Sequence, residues 1–274
     1  MIKTNFENLD YKNFATAKKD IKVSYLGNVA HSTKLMHSLK EMKISTYGIY
    51  LAPSNVSGYN VCQNSESCRE HCLFGSGHAM MDILNHNSRG VVAGRVRKTR
   101  LFFENRPYFM QWMISEITKY KLLAELEGIE FSVRLNCTSD INISDFEFEG
   151  KNICEIFPTV QFYDYTKVFN HLDNAIKFPN YDLTYSFNGF NWGLCEKSLK
   201  RNVRVAVVFE KHLPLTFHGY RVINGDTYDS RYYDEKNVIV GLKFKMVANA
   251  IKNSKYTIPK TPFVVAKDDV NSVW

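Results

Sequence analysis

YGIYLAPSNVSGYNVCQNSESCREHCL, residues 47–73, changes character at Pro53. The six residues before the proline, Tyr47–Ala52, are mostly apolar or aromatic, and a run of that length predicts a strand covered on both faces. From Pro53 onward Ser, Asn and Gly dominate, the composition of a loop. Cys62, Cys68 and Cys72 fall within eleven residues of that loop. Three thiols on one loop can converge on a single centre without straining a regular element.

Working outward, five more short apolar or β-branched runs predict strands: Phe131–Asn136, Thr159–Tyr163, Asp182–Ser186, Arg204–Phe209 and Val238–Phe244. Between them lie helical stretches. The clearest runs from Pro107 to Glu127, with Phe109, Met113, Ile117 and Leu122–Leu123 at helical spacing and Gly128 as a stop. Another covers Ala79 to Arg100, and Phe169–Ala175 and Glu196–Arg201 predict shorter ones. Strands alternating with helices imply parallel pairing, in an open doubly wound sheet or an incomplete barrel. The expectation taken forward is an α/β fold, a partial (β/α)6 barrel of mostly parallel strands. Residues 1–45, polar and lysine-rich, are expected to form a small capping extension, and 46–274 a single domain. In either arrangement ligands gather beyond the carboxyl ends of the strands. Polar residues cluster there: Ser54-Asn55, Thr138-Ser139-Asp140, Asp164 to Lys167, and Ser186 to Asn188.

The chain of 274 residues is 45% hydrophobic, an ordinary value for a globular protein. No apolar run approaches the length of a membrane span, and the N-terminus lacks the apolar core of a secretory signal. A cytosolic setting is therefore expected, where six cysteines are thiols or metal ligands in preference to disulfides. The net charge of +7 suits an anionic partner such as a nucleotide or nucleic acid.

Soft thiolates favour zinc or iron–sulfur clusters over calcium or magnesium. A structural zinc site takes four ligands, usually as two close pairs, and no second cysteine pair exists; His71 or His78 would have to complete the set. A [4Fe–4S] cluster held by Cys62, Cys68 and Cys72 leaves one iron open for a small molecule. Iron–sulfur is the first choice, with zinc and three unliganded thiols as the alternatives. Cys154 and Cys195 read as ordinary buried residues.

Leu51 to Cys62, Arg97-Lys98-Thr99-Arg100 with Phe102-Phe103, Arg134 to Asp140, Gln161 to Lys167 and Val240 to Lys243 together resemble the phage protein family called gene product 88. The resemblance extends from Thr46 to Ala266 and implies a bacteriophage protein working in a bacterial host cytoplasm. The family pattern carries glycine where this chain has Cys137, which implies that Cys137 is not an obligatory ligand.

At greater distance the layout resembles the radical S-adenosylmethionine (SAM) enzymes, whose partial barrel has a three-cysteine cluster loop after its first strand. Their usual spacing is C-x3-C-x2-C, whereas this loop is C-x5-C-x3-C. That resemblance implies SAM as a second cofactor. Thr138, Ser139 and Asp140 would receive its amino group, Ser186 would face the ribose, and Gly241 would let backbone approach the adenine. The implied chemistry is a 5′-deoxyadenosyl radical that takes hydrogen from a substrate. The rival expectation is a metal-stapled module that binds nucleic acid or a host protein.

Three further features have two readings each. Arg95-Val96-Arg97-Lys98-Thr99-Arg100 is either a phosphate-contacting run or a solvated helix face with one arginine paired to Glu104. Gly225 to Arg231 is either a polar substrate loop or a turn. Asp164 is either a general base or substrate ligand, or an acid bonded to neighbouring backbone amides. No Walker loop or Gly-rich dinucleotide fingerprint is present.

Overall fold

The computed structural model describes residues 21–29, 32–69, 72, 90–244 and 261–266. In chain order the first elements are β1 (Gly27–Asn28), α1 (Thr33–Met42), β2 (Ile44–Ile49), α2 (Val91–Glu104), α3 (Arg106–Glu127) and β3 (Glu130–Arg134). Next come a short hairpin of β4 (Glu147–Phe148) and β5 (Lys151–Asn152), then α4 (Ile153–Ile156), β6 (Gln161–Thr166), α5 (Asp173–Lys177) and β7 (Tyr181–Ser186). The last are α6 (Trp192–Lys200), β8 (Arg204–Phe209), β9 (Thr216–Phe217), β10 (Tyr220–Asn224), β11 (Ile239–Lys243) and β12 (Val264–Val265).

Local chemistry sets the helix ends. The Ser32 side chain accepts the Leu35 N–H and caps α1. Asn105 does the same for α3 through the Tyr108 N–H, Pro107 sits in the first turn, and Gly128 ends the helix at φ +64°. Phe109, Trp112, Met113 and Ile117 of α3 are fully buried against the sheet. Each contributes about 1.5–3 kcal/mol through removal of its side chain from water. Leu122 and Leu123, expected on that apolar face, are instead 55% and 42% exposed, while Ala124 next to them is buried in the core.

All six expected strands exist, and they pair in parallel in chain order: β2, β3, β6, β7, β8, β11. Beyond β11 the sheet continues through parallel β10 to antiparallel β9, and β1 lies antiparallel outside β2. The sheet is open, with no closure between β1 and β9 among the described residues. On β8, β11 occupies one edge; β7 pairs with the other edge at Arg204–Ala206, and β12 takes over that edge at Val208–Phe209.

Several boundaries differ from the sequence expectation. The first parallel strand is Ile44–Ile49, not Tyr47–Ala52. Leu51 and Ala52 are buried, but the Ala52 N–H donates to Thr99 Oγ1 of α2 and not to a neighbouring strand. The third extends through Asp164 and Thr166, which are polar yet buried. Phe169–Ala175 splits into a 3-10 turn and α5, and α6 starts at Trp192 instead of Glu196. Of the expected helix Ala79–Arg100, residues 79–89 lie outside the described part, as do residues 1–20 of the expected extension.

Strand alternation sorts side chains onto two faces. Tyr47 and Ile49 point toward α3, where the Tyr47 hydroxyl donates to the buried Glu116 carboxylate at 2.7 Å. That carboxylate also accepts the Leu26 and Gly27 N–H groups, which fastens β1 to the helix. The opposite face, called inner here, carries Thr46, Ser132, Arg134, Tyr163, Thr184 and Arg204, as the pairing register requires. It is covered by α1 and by the segment 225–236, joined where the Asp229 N–H donates to Ser38 Oγ at 3.1 Å.

Candidate metal centre and polar inner face

The cysteine loop lies across the carboxyl edge of the sheet. Its Val61 carbonyl accepts the Asp140 N–H at 2.7 Å, and Cys62 forms a parallel bridge with Asp140 just beyond β3. Two residues on, Asn64 Nδ2 donates to the Lys167 carbonyl beyond β6, and the Ser67 hydroxyl then donates to the Asn188 carbonyl beyond β7. The loop is thus fastened in turn to three successive strand ends.

Cys62, Cys68 and Cys72 are all half-buried. The Ser54 N–H donates to Cys62 Sγ at 3.3 Å from a turn whose Ser54 φ is +52°. Burial pushes the Cys62 thiol up to about 11; Cys72 and Asp140 add to the rise, while the Ser54 N–H and Lys167 oppose it. Cys68 sits in a turn, its N–H and Sγ both directed at the Ser65 carbonyl. The Cys72 N–H donates to the Arg69 carbonyl at 3.3 Å. Among the described residues no three His, Cys, Asp or Glu side chains are close enough to share one ion. His71 and His78 lie outside those residues. Cys154 and Cys195 are buried in the apolar core, as the sequence predicted.

The remaining sequence candidates have clear placements. Thr138 Oγ1 donates to the Leu51 carbonyl at 2.6 Å, and Ser139 Oγ donates to Asn136 Oδ1 at 2.7 Å. Asp140 Oδ2 accepts the Lys167 N–H at 2.7 Å, and its Oδ1 lies 3.5 Å from His171 Nδ1. Ser186 is buried on the inner face, two residues beyond Thr184. Gly241 pairs with Val207 and so lies on the opposite face, where a Cβ would meet Val222 and Leu213 side chains within 3 Å. Asp164 accepts the Asn136 N–H and side-chain amide and the Tyr181 hydroxyl. Burial pushes its carboxyl up to about 7 against the pull of Arg134 and those bonds.

The inner face holds a set of buried ion pairs. Arg134 Nη1 donates to Asp229 Oδ2 at 2.7 Å, where the Tyr163 hydroxyl also donates at 3.1 Å. Burial alone would raise the Asp229 pKa, but Arg134, Lys34 and Arg231 hold it below the ordinary value. Arg231 pairs with Asp234 at 2.9 Å, Arg204 with Asp182, and Lys34 with Asp226 at 3.2 Å. Gly225–Arg231 is therefore a segment fastened into the fold by ion pairs. The sequence expectation of strands apolar on both faces missed this layer. Its signal was present in the alternation of Ser132 with Arg134, Tyr163 with Tyr165 and Asp182 with Thr184.

The basic run is dispersed in three directions. Lys98 is buried, donates to the Leu26 carbonyl at 2.8 Å, and is lowered to about 8 by that burial. Arg100 pairs with Glu104 at 2.7 Å, and Arg95 lies over the Tyr50 ring.

Taken together, these elements describe a mixed α/β protein with its candidate site on the carboxyl edge of a mostly parallel sheet. The family model for gene product 88 matches residues 13–257, and the chain belongs to that family. No curated protein and no solved structure matches it. Among the described residues no helix is long and apolar enough to cross a membrane.

Proposed function

We propose that Cys62, Cys68 and Cys72 hold a [4Fe–4S] cluster at the mouth of a partial (β/α)6 barrel. On this reading the chain is a phage-encoded enzyme of the radical SAM type acting in the host cytoplasm. The observation that carries it is the position of the cysteine loop. It follows the first of six parallel strands standing in chain order, and it is fastened over the carboxyl ends of the next strands. A doubly wound sheet would reverse its strand order at a central switch point; here the six strands from β2 to β11 keep chain order, and the order turns back only beyond β11, through β10 and β9.

The donor types suit such a cluster, although the three thiols do not stand within reach of one ion in this structure. Three thiols are soft ligands, and Cys62 Sγ already accepts a backbone N–H, the kind of bond that tunes cluster sulfurs. Lys167 favours the Cys62 thiolate, so its positive charge would offset ligand charge. When bound, a reduced cluster supplies one electron to SAM. Asp140 beside Cys62 offers a carboxylate to the SAM ammonium, with the Lys167 N–H and His171 holding it in place. Ser186, buried on the inner face, would be the residue to face the ribose. Gly241, on the other face, is not carried forward.

Anaerobically purified protein, assayed for iron, sulfide and zinc, tests the metal. About four irons and four sulfides per chain are expected. Cys62→Ala, Cys68→Ala and Cys72→Ala should each abolish them, and Cys154→Ala and Cys195→Ala should not. The paramagnetic resonance spectrum of the dithionite-reduced protein should change on adding SAM. Stoichiometric zinc in a colourless protein overturns the proposal; a cluster whose spectrum ignores saturating SAM overturns its SAM-dependent part.

A further inference from the structure

The inner face contains buried polar atoms that bond to nothing. Arg134 Nε and Thr184 Oγ1 are both shielded from solvent without a hydrogen-bond partner, and Thr184 is fully buried. They belong to one neighbourhood. The Arg134 guanidinium lies 4.8 Å from the Tyr165 ring centroid, and Tyr165 is the register partner of Thr184. Leaving such groups unpaired is costly, and each is expected to have a partner.

The chemistry of these groups restricts what the partner is. Arg134 Nη1 is already committed to Asp229, which leaves the Nε side of the guanidinium, a donor with no acceptor capacity. Tyr165 is held protonated, since burial pushes its hydroxyl up to about 12. Thr184 also has a proton to donate. The occupant must therefore present acceptor oxygens. Charge narrows the choice further. The inner-face acids Asp229, Asp234, Asp182 and Asp226 each have a cationic partner. One more cation, Lys167, stands toward the cysteine loop, where it acts on Cys62. A singly charged oxyanion suits that balance.

We propose that Arg134, Tyr165 and Thr184 form a binding site for the carboxylate of a small-molecule substrate. Calling the ligand a substrate rests on the function proposed above; the carboxylate site itself does not. Its place on the inner face, below the cysteine loop, would present the rest of such a molecule to the mouth of the barrel.

The test uses acetate as probe, followed by saturation-transfer NMR, with inorganic phosphate followed by its phosphorus linewidth. The proteins are the wild type, Thr184→Val, Arg134→Lys and metal-free Cys68→Ala. Thr184→Val removes a hydroxyl that bonds nothing, so its thermal midpoint should equal or exceed that of the wild type. Acetate should bind it at least fivefold more weakly. Arg134→Lys keeps a charge for Asp229 but lacks Nε, and should lose acetate binding. Cys68→Ala should bind acetate normally even without metal, so failure of the cluster proposal leaves this one standing. Unchanged acetate binding in Thr184→Val and Arg134→Lys, absence of acetate binding to the wild type, or preference for phosphate would each overturn it.

Discussion

Cys62 and Asp140 face each other across a single parallel bridge, and the same Asp140 carboxylate accepts the Lys167 N–H. One residue thereby joins the cysteine loop to the ends of β3 and β6. The register of the loop over the sheet depends on a side chain as well as on backbone bonds.

Asp140→Ala should consequently loosen the mouth of the site. Losing a charged acceptor for a backbone N–H is expected to cost about 2 kcal/mol, measurable by urea denaturation. Amide exchange at Lys167 should accelerate more than exchange within β3 or β6. Unchanged protection at Lys167 would show that the loop is held without this carboxylate.

Gly48 and Cys137 are matched in volume. A Cβ on Gly48 would lie 2.9 Å from Cys137 Sγ, with Tyr50 and Leu35 side chains at 3.3 and 3.4 Å. Gly48→Ala should destabilise by about 2 kcal/mol through overpacking. In a Cys137→Gly background the same change should cost about 1 kcal/mol less, the coupling a double-mutant cycle reads. Strict additivity would rule the contact out as the cause.

Asp164 gives the fold a pH dependence of definite sign. Its carboxyl is raised by burial from 3.8 to about 7, so the folded chain binds this proton more tightly than the unfolded one. The contribution is fully present below the unfolded value and is lost as pH rises through the folded one. Stability should therefore fall between pH 4 and pH 7 on account of this group. Asp164→Asn, which keeps an acceptor for the Asn136 N–H, should flatten that slope in denaturation curves taken across the window.

Much of the architecture was legible because it depends on short-range pattern. Gly128 marked the end of α3, and Arg204–Phe209 is a strand over the range its apolar run predicted. What escaped depends on which neighbour a residue finds. Leu51 and Ala52 look like strand and are buried, but the Ala52 N–H meets Thr99 of α2 and the Leu51 carbonyl meets the Thr138 hydroxyl. Lys98 looks like a solvated lysine, yet its ammonium is drawn inward to the Leu26 carbonyl, 72 residues away. The three loop cysteines were visible as a cluster in sequence. The Arg134–Asp229 pair was not, because its members come from distant segments that only the folded sheet brings together.

The edge of β8 shared by β7 and β12 has a consequence for biosynthesis. Gly189, at φ +98°, lies so near the Pro262 backbone that a Cβ would approach it to 2.6 Å, so the two strands from distant segments meet there. A ribosome emits β7 and β8 long before Val264 and Val265. Until those two residues emerge, the carboxyl half of that β8 edge keeps unpaired amides and carbonyls open to any passing strand, the hazard typical of long-range pairings. Completion of the sheet therefore waits on residues far downstream of β8, and a chain stalled a few codons short of Val264 would carry a sticky edge beside its polar inner face.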